Sequence, residues 1–251
     1  MEVHHPHHAP NGAHLKKKFK EYIFEFLMLF LAVTLGFFAE NKREFFVERE
    51  REHQYMQSFY EDLKRDTAEL NAVRRTYIKQ IGRLDTTVNY IFEGKNDTVS
   101  IAKLYELNLG TLGSRGVRLI ERTTAQLKNA GGLRLVENSK ISDQIAVYWH
   151  YASYIQAYGE STEELKIRAR EKSYSIFNNN FYQNQERGNN KYKVKPGSKL
   201  MTNDKNTLIE FANRLTHIKN ALNNVSIVLL DSTEKVAIDL MEALKKEYHV
   251  K

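Results

Sequence analysis

Four of the first nine residues are histidines, His4, His5, His7 and His8 in the run HHPHH, with a fifth at His14. Neutral imidazoles so spaced can chelate Zn²⁺, Cu²⁺ or Ni²⁺. A tail with no evident fold cannot fix four ligands in one geometry, so these four are metal candidates only and no resident metal is expected. The remaining histidines, His53, His150, His217 and His249, form no i, i+4 pair and no HExxH motif. The chain has no GxSxG, Walker or GxGxxG motif. The glycines Gly110, Gly113 and Gly116 are spaced like a phosphate loop but lack its Lys-Ser/Thr ending. With no cysteine, thiol nucleophiles, thiolate metal sites and disulfides are excluded together. The carboxylates Glu61, Asp62, Asp66 and Glu69 are interleaved with Lys64 and Arg65, the pattern of a solvated helix face. No cofactor is expected, and the chain reads as a non-enzyme.

Three further groups invite a binding role. Tyr148, Tyr151, Tyr154 and Tyr158 share a broad helix face around Trp149, the single tryptophan. They form either a small-molecule pocket between helices or ordinary bundle core, the latter preferred. Glu25 stands inside a strongly apolar run, where a carboxylate calls for a basic or hydrogen-bonding partner or for interfacial water. Ala32 and Gly36 form a small-residue face beside it, suited to close approach of a partner helix. Arg187, Lys191, Lys193, Lys195 and Lys199 make a basic segment around Tyr192, a pattern shared by nucleic-acid patches and by solvated or lipid-touching loops.

The element that must position Glu25 is YIFEFLMLFLAVTLGFFA, from Tyr22 to Ala39. As a helix it is about 27 Å long, close to the roughly 30 Å hydrocarbon core of a bilayer. Its Leu, Ile, Phe and Val side chains favour insertion by about 3 to 7 kcal/mol, more than an acid near one end costs. The alternative is a buried helix of a soluble protein, which would ordinarily carry a polar stripe. Lys16, Lys17, Lys18 and Lys20 precede the span against Glu2, whereas Lys42, Arg43, Arg49 and Arg51 follow it among four glutamates. Counted as Lys and Arg alone the two flanks carry four each, so net charge overstates the asymmetry, and the short N-terminal tail favours an inside N-terminus. Phe37 stands where signal peptidase needs a small residue, so the span is expected to stay uncleaved. The expected organisation is a His/Lys-rich cytoplasmic tail at 1–20, a transmembrane helix at 21–40 and an extracytoplasmic helical domain at 41–251. The protein would then be a single-pass component of the cytoplasmic membrane, its basic segment outside the cytoplasm and away from nucleic acid.

With 3 prolines and 12 glycines in 251 residues, 41% hydrophobic and 27% charged, the composition suits helices and leaves too few turn residues for a many-stranded fold. Apolar residues at Met56, Phe59, Leu63, Leu70, Val73, Tyr77, Ile81, Leu84, Val88 and Ile91 trace a helical seam with one slot skipped at Asp66 or Thr67. No proline lies between Pro10 and Pro196, so helix can run from about Phe19 to Ile91. One broken element follows, from Ile101 to Leu127. A third helix begins after Asn138-Ser139 and is expected to reach about Phe177, and residues 178–202 read as a polar loop. A last helix, capped from Thr202, Asn203 or Asp204, carries Leu208, Phe211, Leu215, Ile218, Leu222, Val225 and Leu229, then more loosely Val236, Leu240 and Leu244. The fold class expected is all-α, the transmembrane helix continuing into an elongated, antiparallel four-helix-bundle-like domain.

The opening MEVHHPHH, the stretch from KKKFKEYIFEFLMLFLAVTLGFFAENKREFF to Leu70, and the segment LKNAGGLRLVENSKISDQIAVYW ending at Trp149 resemble a family of single-span, N-terminally anchored helical envelope proteins of Bacteroidota, of unknown function. The resemblance covers about 70 residues specifically, the second segment less so. It implies inner-membrane anchoring and a helical body and supplies no catalytic residues. The expected role is protein–protein interaction or assembly in the envelope, with a partner protein or a second copy of the chain. The alternative is an extracytoplasmic ligand-sensing bundle that signals through a separate membrane partner, because the cytoplasmic tail is too short for an output domain. An envelope enzyme is the reading with least support.

Overall fold

The computed structural model describes residues 12–94, 97–113, 115–129, 131–186 and 189–250. The order is α1 (Gly12–Glu93), α2 (Thr98–Thr111), α3 (Arg122–Asn129), α4 (Ser139–Ser173), β1 (Tyr182–Glu186), β2 (Asn189–Val194), α5 (Lys205–Ala221), a π turn at Leu222–Ser226 and α6 (Ile227–Tyr248). The architecture is all-α, with one small hairpin among the described residues. The chain divides into two compact units, Met1–His53 and Gln54–Lys251.

In the first unit, α1 carries a segment long and apolar enough to cross a membrane. Its best 18-residue window has a mean hydropathy of 2.1, and none of it is buried. The helix needs no tertiary support for its backbone, because every interior N–H and C=O is paired within it. Thr34 follows suit, its hydroxyl donating to the Phe30 carbonyl at 2.8 Å. Beyond the apolar run, Arg43 pairs with Glu40 at 2.5 Å, one helical turn away.

The second unit holds two apolar cores. One gathers Leu70 to Val88 of α1, Leu104 and Tyr105 of α2, Ile155 and Ala169 of α4, and Phe211 to Leu230 of α5 and α6. The other gathers Met56 to Leu63 of α1, Leu127 of α3, Ile141 to Tyr148 of α4, and Ala237 to Leu244 of α6. The order in which each helix feeds the cores gives its direction. Residues 54–93 of α1 and α4 run the same way, whereas α5–α6 runs oppositely. The path back between α1 and α4 is α2, an irregular stretch and α3, so the broken element expected between Ile101 and Leu127 is two short helices. Asp97 caps α2 by accepting the Val99 and Ser100 amides, Asn138 caps α4, and Asp204 caps α5 by accepting the Thr207 amide at 2.8 Å. Helix α4 ends at Ser173, four residues short of Phe177.

Two expectations are corrected. Residues 178–202 are not simply a loop: β1 pairs antiparallel with β2, Tyr182 opposite Val194, with an irregularity between Asn184 and Glu186. The hairpin is pinned at its base, where the Tyr182 hydroxyl donates to the Tyr105 carbonyl at 3.2 Å and accepts from the Asn108 amide group at 3.1 Å. Burial, the dominant influence, pushes the Tyr182 hydroxyl up to about 12. Second, Val225 and Val236 are only half-buried, whereas Ser226 and Ala237 point inward. The π turn inserts one extra residue and so advances the inward face by one position. After Leu222 the seam reads Ser226, Leu230, Thr233, Ala237, Leu240 and Leu244, all buried.

Deletion of exposed Asn223 should therefore convert the π turn to an α turn with the same residues still facing the core. Deletion of exposed Lys235 should instead rotate Ala237, Leu240 and Leu244 out of it. Circular-dichroism melts should show a cooperative transition near the parent midpoint for the first variant and its loss for the second. Equal damage from both would contradict the register.

Candidate functional site

The slot skipped in the α1 seam is filled by an acid. Asp66 is 2% exposed and Asp62, one turn earlier, 1%, so these two carboxylates do not lie on the solvated face that their charged neighbours imply. Asp66 accepts the Tyr148 hydroxyl at 2.6 Å and the Ile120 amide at 2.8 Å. Asp62 accepts the Thr123 hydroxyl at 2.5 Å and the Thr123 amide at 3.4 Å, with the Arg122 guanidinium 3.4 Å away. The receiving backbone is the irregular stretch after α2, for Ile120, and the first turn of α3, for Thr123, where the described amides have no helix or strand partner.

The carbonyls of that stretch are met in the same way. Gln80 donates to the Thr111 carbonyl at 2.6 Å and to that of Gly113 at 3.0 Å. The Tyr77 hydroxyl donates to the Arg115 carbonyl at 3.0 Å, and Arg170 of α4 to that of Leu112 at 2.8 Å. Lys166, 2% exposed, reaches the Gly113 carbonyl at 3.4 Å, with its ammonium 5.4 Å from the centre of the Tyr77 ring. Each such group left buried without a partner costs about 1 to 3 kcal/mol, so the side chains of α1 and α4 act as a clamp. Burial has opposite effects on the two charge types. It raises the Asp66 carboxyl above its ordinary value, although the Tyr148 and Ile120 hydrogen bonds pull the other way, and it lowers the Lys166 ammonium. Burial and the neighbouring Asp66 together raise the Tyr148 hydroxyl far above its usual range.

Beside the clamp, the stretch and α4 enclose an open cleft of about 380 Å³ lined by Tyr77, Arg115, Glu121, Glu160, Glu163 and Lys166, with Gly116 and Gly159 in its wall. Arg115 is held by Glu69 at 2.9 Å, and Glu163 lies 3.5 Å from Arg170. Gly159 stands inside α4, where alanine would be better by about 1 kcal/mol. A methyl group there would meet nothing within 4 Å, so packing does not account for the glycine. A neighbouring cavity of about 280 Å³ lies between α3 and α4, against Tyr148 and Trp149. The Trp149 indole N–H donates to Thr124 at 3.0 Å and Lys128 lies 4.7 Å above its ring.

The four tyrosines differ in their surroundings. Tyr148 is buried in the clamp, Tyr154 is 51% exposed and stacks on His150, and Tyr151 and Tyr158 are half-buried. They spread around α4 because the helix carries 148, 151, 154 and 158 across an arc wider than its buried stripe. Glu25 and Ala32 are exposed, and a side chain at Gly36 would meet nothing within 4 Å among the described residues. His4, His5, His7 and His8 lie outside the described residues. Missing from the sequence reading are Lys166, Gln80 and Thr123. The signal for Lys166 is present in retrospect: Ile155, Thr162, Lys166, Ala169 and Ser173 continue the buried face of α4 at steps of seven, four, three and four.

Comparison with family models, with curated proteins and with solved structures yields no match. The site therefore stands on its own geometry.

A carboxyl raised in the folded state binds protons that the unfolded chain has released, so its contribution to stability is lost as pH climbs from the ordinary aspartate value through the raised one. Asp66→Asn removes that titration while keeping an acceptor for the Ile120 amide. The melting midpoint of Asp66→Asn should accordingly gain on the parent as pH rises across that window. Asp66→Ala, which orphans both partners, should lose about 2 to 5 kcal/mol at every pH. A difference between Asn variant and parent that is constant with pH would contradict the assignment.

Proposed function

We propose that the chain is a non-catalytic, membrane-anchored helical protein of the cell envelope that acts through protein–protein interaction or assembly. The observation that carries this is the apolar window of α1, with a mean hydropathy of 2.1 and no buried residue. A side-chain set so apolar and so uncovered in water would aggregate, whereas in lipid its exposure is favourable. The anchor crosses the cytoplasmic membrane once, with its N-terminus inside and Gln54–Lys251 on the far side. The short N-terminal tail supports this orientation, and the resemblance of the first 70 or so residues to single-span Bacteroidota proteins supports the anchoring. The helix directions in the second unit support an up-down-up-down, four-helix-bundle-like body whose second limb is broken. Glu25, Ala32 and Gly36 offer a polar group and a close-approach face for a partner helix or a second copy.

A second reading is favoured by one specific observation, the cleft that contains Lys166. In it the body is a ligand-sensing module whose signal passes along α1 to a separate membrane partner.

Because the chain is free of cysteine, single cysteines report topology cleanly. In intact cells a membrane-impermeant maleimide should label Lys245→Cys at once and Lys20→Cys only after permeabilisation, with both proteins in the carbonate-resistant membrane fraction. Labelling in the reverse order, or recovery in the soluble fraction, would contradict the anchor and its orientation.

A further inference from the structure

We propose that the cleft between the irregular stretch and α4 binds a free amino acid, its carboxylate meeting Lys166 and Arg115 and its ammonium meeting Glu121 and Glu160. This inference rests on the ligand-sensing reading and names the ligand class.

The carboxylate follows from Lys166. An ammonium has three N–H donors, and this one, 2% exposed, makes among the described residues one long hydrogen bond, to the Gly113 carbonyl at 3.4 Å, beside its contact with the Tyr77 ring. Burying a cation so sparsely hydrogen-bonded is unfavourable; the nearby Glu163 carboxylate offsets part of that cost through its charge, and an anion in the cleft would complete the shell. Arg115 lines the same cleft and, while held by Glu69, keeps donors to spare. The ammonium follows from the opposite side. Glu121 and Glu160 also line the cleft, both exposed, and among the described residues neither side chain makes an ion pair or hydrogen bond. Glu163 adds a third carboxylate, shared with Arg170.

The mixture of signs selects the class. A simple anion would face three glutamates and a polyamine would face Lys166 and Arg115. A molecule with one positive and one negative end, a few ångströms apart, satisfies both walls. The volume of about 380 Å³ is at the small end of ligand sites and fits one amino acid, not a nucleotide or a peptide. Gly159 supplies an independent argument. It lines the cleft from α4, and a methyl group there would meet nothing of the protein within 4 Å, so the packing of the chain itself does not require a glycine.

The test uses the full chain in a mild non-ionic detergent. Its melting midpoint is read with each proteinogenic L-amino acid in turn at millimolar concentration, and then with the decarboxylated amine and the deaminated acid of any that acts. At least one amino acid should raise the midpoint by several degrees, and neither counterpart should match it. Lys166→Met and Glu160→Gln should each weaken binding by at least about tenfold in calorimetry. Glu160 is exposed, so the second variant folds even if the first does not. Gly159→Ala should melt no lower than the parent yet lose the ligand shift. A shift that survives both Lys166→Met and Glu160→Gln would overturn the site. If succinate or spermidine raised the midpoint in a Lys166-dependent way while no amino acid did, the zwitterion would be wrong and the sensing reading would stand. No shift with any probe would overturn both.

Discussion

The second unit depends on a rule about hydrogen bonds: a backbone group taken out of water must find a partner, and the stretch between α2 and α3 has none in regular structure. It lies against α1 and α4 only because those helices sacrifice core positions to polar side chains. Asp66 takes the amide of Ile120 and Asp62 that of Thr123 in the first turn of α3, while Gln80, Tyr77, Arg170 and Lys166 donate to carbonyls between Thr111 and Arg115. Replaced by leucines, these positions would enlarge the apolar core and leave the stretch with unpaired groups beneath it. The clamp thus decides where the broken limb runs, and its placement opens the cleft beside α4.

The same choice divides the hydrophobic interior. Asp66 lies between the part of α1 that feeds one core and the part that feeds the other, and Thr233, buried on α6, occupies the corresponding interval between Leu230 and Ala237. A charged carboxylate there is tolerated because a phenolic hydroxyl and an amide face it, yet burial still raises its proton affinity. Lys166 is the mirror case on α4, a cation with fewer partners than donors.

Much of the architecture was legible because it is governed by apolar periodicity. The seam from Met56 to Val88 reads directly from the spacing, as does the onset of α4 after Asn138, and the all-α class follows from the scarcity of turn residues. The skipped slot at Asp66 was visible as a gap, but charge patterning on the flanking residues favours solvent, and only the fold brings Tyr148 and Ile120 to it from 82 and 54 residues away. Lys166 was hidden because a lysine inside a charged helix reads as surface. The hairpin was hidden too: YQNQE and NNKYKV lack the apolar alternation that marks a half-buried strand, and its anchors, Tyr105 and Asn108, are on α2. The π turn left its trace only as the looser spacing from Leu229 to Val236.

Native-state hydrogen exchange at the Ile120 and Thr123 amides tests the clamp most directly, because Ile120 lies in an irregular stretch and Thr123 in the first turn of α3, where no intrahelical bond protects an amide and exchange is ordinarily fast. Both amides should be protected to the level of the α4 interior in the parent, and Asp66→Ala should strip Ile120 of protection while α5 and α6 keep theirs. Exchange at loop-like rates in the parent would contradict the claim that these buried carboxylates hold the broken limb in place.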